Sequence, residues 1–223
     1  MIIPARLYSR RVPGKALVSL GGLPLIEHVR RRAVRAEVGP VFVATDSSQI
    51  SSIVEGFGGA VIRTGPAENG TRRVAEAART LGVRAVLNVQ GDQPLLEPAH
   101  IQVLAQQMHT AAIATLACSW PETEWREDPA RVKVQIEGEL AIDFSRTKYT
   151  DTGLLHIGMY GFRTEVLHRV TSLPVSARAR TERLEQLTWL EAGWTIGVEE
   201  VSQSATSVDT LEQLEQVKKT LGE

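Results

Sequence analysis

Short apolar or β-branched runs alternate, through the first half of the chain, with longer segments in which apolar residues recur every three to four positions. The runs fall at 41–45, 60–63, 83–89 and 113–118, and the amphipathic segments at 25–36, 47–57, 70–81 and 98–109. Strand-length runs alternating with helix-period segments predict βαβ units around a parallel sheet. Segment 83–89 is almost continuously apolar and runs out into Gln90-Gly91-Asp92-Gln93-Pro94, as a central strand ending in a polar loop would. Ligands of open α/β sheets bind at such carboxyl ends.

Beyond Trp120 the pattern changes. Two strand-like runs at 132–136 and 140–144 flank Glu137-Gly138-Glu139 and read as a hairpin. A strand at 154–162, a helix opened by Thr181 as its N-cap, a strand at 194–198 and a closing helix from Thr210 complete the second half, which is α+β rather than doubly wound. No internal repeat occurs and no linker is long enough to separate a second independent domain, so a single domain over 1–223 is expected.

Composition narrows the function. The 223 residues carry 25 Lys plus Arg against 26 Asp plus Glu, and 43% of the chain is hydrophobic. The even charge and the absence of a basic block argue against a sequence-independent nucleic-acid binder. No apolar run is long enough to span a membrane and no signal-peptide pattern opens the chain, so a cytoplasmic location is expected. The single cysteine, Cys118, excludes an internal disulfide and reads as a buried thiol. Small-molecule chemistry is the reading that remains.

Four constellations are suited to such chemistry. The first runs from Ile2 to Lys15, a strand that ends in a loop holding Arg6, Arg10, Arg11 and Lys15 with a Pro13-Gly14 turn. Clustered cations beside exposed backbone N–H groups suit a polyphosphate, and a solvated basic loop is the plainer alternative. Neither a Walker loop nor a dinucleotide-binding glycine pattern is present. The second is Asp92, where a carboxylate at a sheet's carboxyl edge would hold a divalent cation against phosphate; a turn aspartate is the alternative. The third is Asp209, next to a Thr210–Gln213 capping box, which alone would explain an acid at a helix start. The fourth is the strand around His156-Ile157-Gly158-Met159-Tyr160, where period 2 places His156, Gly158 and Tyr160 on one face. A glycine between two polar rings leaves room for a ligand, although a satisfied core histidine is the commoner case. The other four histidines, His28, His100, His109 and His168, fall on helical surfaces.

Taken in order, Ile3-Pro4-Ala5-Arg6 with Arg10 and Lys15, Ala44-Thr45-Asp46, Gly70-Thr71-x-Arg73, Asn88-Val89-Gln90-Gly91-Asp92-x-Pro94, Val132-Lys133-Val134, Phe144-Ser145-Arg146, His156-Ile157-Gly158-x-Tyr160-Gly161, Leu184-Glu185-Gln186-Leu187 and Val208-Asp209-Thr210 form a series. The series resembles the 3-deoxy-manno-octulosonate (Kdo) cytidylyltransferases, the CMP-Kdo synthetases, from the first residue to about Val217. The resemblance implies a three-layer, Rossmann-like nucleotidyltransferase fold with a mixed central sheet, and a small sheet element at about 120–165 that pairs two subunits as a homodimer. It implies transfer of CMP from CTP to the anomeric hydroxyl of a sugar acid, with Mg²⁺ and release of pyrophosphate, for lipopolysaccharide or other surface polysaccharide. By position, Arg10, Lys15 and Asp92 would be catalytic. Ala5, Arg6, Arg10, Lys15, Thr45, Asp46, Gly70, Thr71, Arg73 and Gln90 would receive the nucleotide, and Asp92 and Asp209 would hold the metal. Arg146 would pair with the sugar-acid carboxylate, with His156, Tyr160, Glu182, Glu185 and Gln186 around the sugar.

The departures from the family pattern lie on the sugar side. Where relatives usually read His-x-Ser-Gly-Thr-Asp/Glu-Arg, this chain has Glu68-Asn69-Gly70-Thr71-Arg72-Arg73 preceded by Pro66-Ala67, and the connection from Arg146 to His156 is short. A transferase for 8-amino-Kdo or a nonulosonate, and a non-catalytic dimeric nucleotide-binding homologue, are the alternatives to a Kdo enzyme.

Overall fold

The computed structural model describes residues 1–9, 12–120, 128–147, 153–202 and 207–222. The chain divides into two compact units, residues 1–102 with 205–223, and residues 103–204.

The first unit is built as the apolar pattern requires. β1 (Ile2–Pro4), β4 (Phe42–Thr45), β5 (Ala60–Arg63) and β6 (Ala85–Asn88) lie parallel in the order β5-β4-β1-β6. The registers Ile2↔Phe42, Ile2↔Asn88 and Phe42↔Ala60 place all four carboxyl ends on one edge. Parallel strands are covered on both faces, and Ile2, Ile3 and Val43 have no exposed surface. The covering helices are α1 (Leu25–Arg35), α2 (Ser48–Gly56) and α3 (Gly70–Leu81); the next helix, α4 (Pro98–Gln107), contains the boundary between the units. Ser47 caps α2 by accepting from the Ile50 amide, Asn69 caps α3 by accepting from Arg72, and α3 stops at Gly82, which adopts φ 62°. A two-residue hairpin, β2 (Ser19–Leu20) with β3 (Leu23–Pro24), leads into α1. The closing helix α8 (Leu211–Leu221) carries the expected capping box between Thr210 and Gln213. Within α1, Glu27 is wholly buried and accepts from Arg30 (2.7 and 2.8 Å) and from Arg31 (2.7 Å).

In the second unit five strands close a circuit: β10 (Leu154–Arg163) pairs with β7 (Ile113–Cys118), β7 with β11 (Gly197–Val201), β11 with β9 (Leu140–Ser145), β9 with β8 (Lys133–Glu137), and β8 with β10. Only β7 and β11 run parallel. The predicted hairpin is β8–β9, with Gly138 at φ 61° in its turn. Among the described residues the unit is completed by the helices α5 (Thr164–Thr171), α6 (Ala177–Glu182) and α7 (Gln186–Glu191).

Three expectations are corrected. Thr181 does not open a helix; Ser176 caps α6, accepting from the Ala179 amide, and the Thr181 hydroxyl bonds back to the Ala177 carbonyl. The last strand begins at Gly197 rather than at Trp194, because the Trp194 amide is taken by the Trp189 carbonyl in the turn that ends α7. His100 is buried, with its imidazolium disfavoured by loss of solvent, instead of lying on a helical surface. Cys118 is buried as expected, and burial pushes its thiol up to about 11. Among the described residues no helix is long and apolar enough to cross a membrane.

Candidate active site

In the first unit the chemistry gathers at the carboxyl ends of the strands. Ala5 continues the β1–β4 ladder, its amide donating to the Ala44 carbonyl at 2.9 Å. Two backbone segments close over this point. A β-carbon at Gly70, the first residue of α3, would lie 3.2 Å from Pro4 Cγ, and one at Gly91 would lie 2.7 Å from the Pro4 carbonyl oxygen. Only glycine lets the loop after β6 pass this close to β1.

Lys15 occupies the centre of the charge pattern. It begins a single 3₁₀ turn after Gly14, and its ammonium lies 3.0 Å from Asp92 and 3.2 Å from Asp209. The two aspartates are 117 positions apart, and a backbone bond from the Val208 amide to the Asp92 carbonyl (2.8 Å) brings their segments together. The Asp209 amide is held by Gln213 at 2.7 Å. Each of the three side chains keeps between 17% and 29% of its surface in solvent, so the cluster is reachable by a ligand.

Asp92 and Asp209 offer hard carboxylate oxygens, and among the described residues no group of three or more potential metal ligands forms. Two carboxylates fit a small divalent cation such as Mg²⁺, which completes its shell with water and substrate phosphate rather than with an all-protein cage.

The remaining nucleotide candidates divide into two kinds. Arg6 is exposed, Gln90 is half-buried with its amide on Asn88 (3.4 Å), and Arg10 lies outside the described residues. Thr45, Thr71 and Arg73 are buried, and Arg73 pairs with Asp46 at 3.0 Å while reaching the Thr64 hydroxyl and the Gly65 carbonyl. The Thr71 hydroxyl accepts from Asn88 at 3.4 Å. These side chains fix the entry to α3 and the turn after β4.

In the second unit Arg146 and Glu182 meet. The Arg146 amide donates to the Glu182 carboxylate (2.9 Å), its Nε to the Glu182 carbonyl (3.0 Å), and its Nη1 to the carbonyls of Pro129 and Ala130 (both 3.1 Å). Burial pushes the Glu182 carboxyl up, but hydrogen bonds from Arg146, Ser145 and Thr147 outweigh it and hold the group below the usual carboxylate range. Lys133, missed as a functional candidate, is almost wholly buried, and its three protons go to the carbonyls of Asp128 (2.9 Å), Arg131 (3.1 Å) and Arg146 (2.9 Å). Four successive carbonyls, 128 to 131, thus face two cations. A lysine in an alternating strand gives no sequence sign of such burial.

His156 and Tyr160 lie together, ring centroids 5.4 Å apart, in an aromatic cluster with Phe144, Phe162 and Trp189. Enclosure pushes the imidazolium down to about 3, with the Arg146 charge acting in the same direction, so His156 is neutral. Burial pushes the Tyr160 hydroxyl well above its ordinary value, so it stays protonated. Glu185 is the N-cap residue of α7 and Gln186 its buried first residue.

A Rossmann-like sheet with a basic loop and two carboxylates converging on a lysine at its carboxyl edge is the arrangement of a nucleotidyltransferase. The family profile for cytidylyltransferases matches residues 1–201. The 3-deoxy-manno-octulosonate cytidylyltransferase of Rhodopseudomonas palustris (strain ATCC BAA-98 / CGA009) is 38% identical over 100% of this chain and 97% of its own. That of Anaeromyxobacter dehalogenans (strain 2CP-C) is 41% identical over 99% and 96%. The structure of a CMP:2-keto-3-deoxy-manno-octonic acid synthetase complexed with CTP is similar, with a TM-score of 0.93 and 35% identity over 99% of this chain and 96% of that one. The chain belongs to the cytidylyltransferase family, in the branch of the 3-deoxy-manno-octulosonate cytidylyltransferases.

Proposed function

We propose that this protein transfers CMP from CTP to the anomeric hydroxyl of 3-deoxy-manno-octulosonate. The anomeric oxygen bonds to the α-phosphorus, the bond from that phosphorus to the β-phosphate bridging oxygen breaks, pyrophosphate leaves, and the hydroxyl proton is lost to solvent. Such a displacement needs positioning and charge neutralisation more than covalent help. The observation that carries this reading is the convergence of Lys15, Asp92 and Asp209, in a chain whose relatives of this name match it from end to end. Lys15, with Arg6 and Arg10, offsets triphosphate charge, while Ala5, Thr45, Asp46, Gly70, Thr71, Arg73 and Gln90 form or support the nucleotide cradle. Asp92 and Asp209 would hold Mg²⁺, which supplies positive charge beside the phosphates. Arg146 receives the sugar-acid carboxylate, and His156, Tyr160, Glu182, Glu185 and Gln186 define the sugar side.

The reading extends to a single catalytic domain over 1–223, to a cytoplasmic enzyme of surface-polysaccharide synthesis, and to a homodimer. Leu140 and Ile142 on β9, 45% and 48% exposed, support pairing through the 120–165 element. The altered loop at 66–73 favours a second acceptor, 8-amino-Kdo or a nonulosonate, as the main competitor. Both are tested by CTP- and Mg²⁺-dependent pyrophosphate release with a panel of sugar acids, Asp92→Ala serving as control. Turnover fastest with Kdo is expected. Preference for another acid would reassign the acceptor, and silence with every acid would leave only a nucleotide-binding role.

A further inference from the structure

In a regular strand, residues four apart are separated by about 13 Å along the chain. The rings of His156 and Tyr160 are nevertheless 5.4 Å apart. The cause is a bulge: opposite β7, Ile157 pairs with Leu116 and Tyr160 with Thr115, so Gly158 and Met159 have no opposing residues. Bulges re-aim side chains beside functional sites. The freed carbonyls do not go unpaired, because the buried Thr115 hydroxyl lies 2.7 Å from the Met159 oxygen and 3.3 Å from that of Ile157.

The same hydroxyl oxygen is 2.9 Å from His156 Nε2. A threonine hydroxyl has one proton and two lone pairs. Carbonyls only accept, and the 2.7 Å contact to Met159 takes the proton. Toward Nε2 the hydroxyl can therefore only accept, so Nε2 carries the imidazole proton and Nδ1 keeps a lone pair. Among the described residues Nδ1 has no hydrogen-bond partner. Nor, among the described residues, does the buried Tyr160 hydroxyl meet hydrogen-bond geometry with any partner, although Thr115 lies near enough to favour its ionised form slightly against the larger effect of burial. A buried donor and an acceptor of one aromatic cluster, both without protein partners, match a ligand hydroxyl, which accepts from one and donates to the other.

We propose that Thr115 is a positioning residue of the acceptor site: its hydroxyl pins the bulge in β10 and locks His156 in the Nε2–H tautomer, so that Nδ1 accepts from a hydroxyl of the sugar acid. The inference rests on the assignment of His156 and Tyr160 to the acceptor side, and adds to it the group that sets their spacing and hydrogen-bond polarity.

The test uses the full-length protein with ¹⁵N-labelled histidine, the His156 signals being assigned by their absence in His156→Gln. Long-range ¹H–¹⁵N spectra of the wild type are expected to show Nε2 protonated and Nδ1 bare. Thr115→Val, which keeps the shape and removes the hydroxyl, is expected to lose the fixed tautomer and to raise the KM for the sugar acid by about tenfold, the worth of one well-placed hydrogen bond, leaving the KM for CTP unchanged. Thr115→Ser is expected to restore both. A wild-type Nδ1–H tautomer would overturn the proposal without any variant having to fold. Loss of the tautomer in Thr115→Val with an unchanged acid KM would also overturn it, showing a structural role alone. Failure of the wild type to use any sugar acid is a separate result that strikes the functional reading, while the tautomer still reports on Thr115.

Discussion

Replacing Glu27 by Gln removes a charge at the one place in α1 where it is wholly buried. The carboxylate holds Arg30 through two bonds and Arg31 through one, and Arg30 continues to the Phe57 carbonyl at the end of α2. Removing one partner of a buried ion pair costs about 3–5 kcal/mol. Two features lower that figure here. Arg31 is 47% exposed and can turn to water, and glutamine keeps one acceptor for Arg30, itself 13% exposed. The expected loss is therefore about 2–3 kcal/mol, which for a chain of this size lowers the melting temperature by roughly 5–10 °C. The pH dependence carries a definite sign. Burial alone would raise the Glu27 carboxyl, but the bonds and charges of Arg30 and Arg31 outweigh it and set the folded value below the ordinary 4.5. The ion-pair contribution is thus complete above the unfolded value and is lost as pH falls through the folded one. Urea titrations at pH 7, 5 and 4 should show a gap between wild type and Glu27→Gln that is constant between pH 7 and 5 and begins to close below. A gap under about 1 kcal/mol at pH 7, the worth of a surface pair, or a gap that widens in acid, would show that Glu27 does not act as a buried ion-pair partner.

Lys15→Met is expected to cut CTP-dependent pyrophosphate release by roughly 10²–10³-fold with a melting point within a few degrees of wild type, since its partners are partly solvated; retention of a tenth of the activity would argue against a role in charge neutralisation. Gly91→Ala sets a β-carbon against the Pro4 carbonyl oxygen, a contact neither backbone segment relieves cheaply, and is expected to destabilise by about 1–3 kcal/mol and raise the KM for CTP. An unchanged KM and melting point would show that the loop does not close on β1 as described. The pair Leu140→Glu and Ile142→Glu is expected to convert a dimer to a monomer in sedimentation equilibrium; a wild-type monomer would remove the dimer from the proposal.

The sequence is a good guide where one period dominates a segment. β4, β5, β7, β8, β9 and α1 to α3 fall within a residue or two of their predicted limits, because their burial is decided by neighbours in the same βαβ unit or hairpin. Thr181 misleads because N-cap preference is local: Ser176, five residues earlier, takes that place, and Arg183 at φ 56° ends the helix. Spacing alone says nothing of the meeting of Lys15, Asp92 and Asp209, since it is made by strand order and by one backbone bond from Val208. Charge and position mark each of the three residues by itself, and resemblance joins them in one site; periodicity does neither. Thr115 was missed altogether, because a threonine inside an apolar strand is ordinary until the two-residue bulge opposite it is seen.

The carbonyls of residues 128 to 131 bind Lys133 and Arg146 through the backbone alone. Every residue type has the same carbonyl, so these contacts do not depend on side-chain identity, although the Asp128 carboxylate helps to shape the segment by accepting from the Ala130 amide at 2.7 Å. A change at Ala130 is therefore expected to leave the Arg146 contacts in place, whereas a change at Lys133 is felt at three peptide groups at once, those of Asp128, Arg131 and Arg146. The geometry around Arg146 then depends on few side chains of its surroundings, Lys133 and Asp128 among them, and mostly on backbone that any residue supplies.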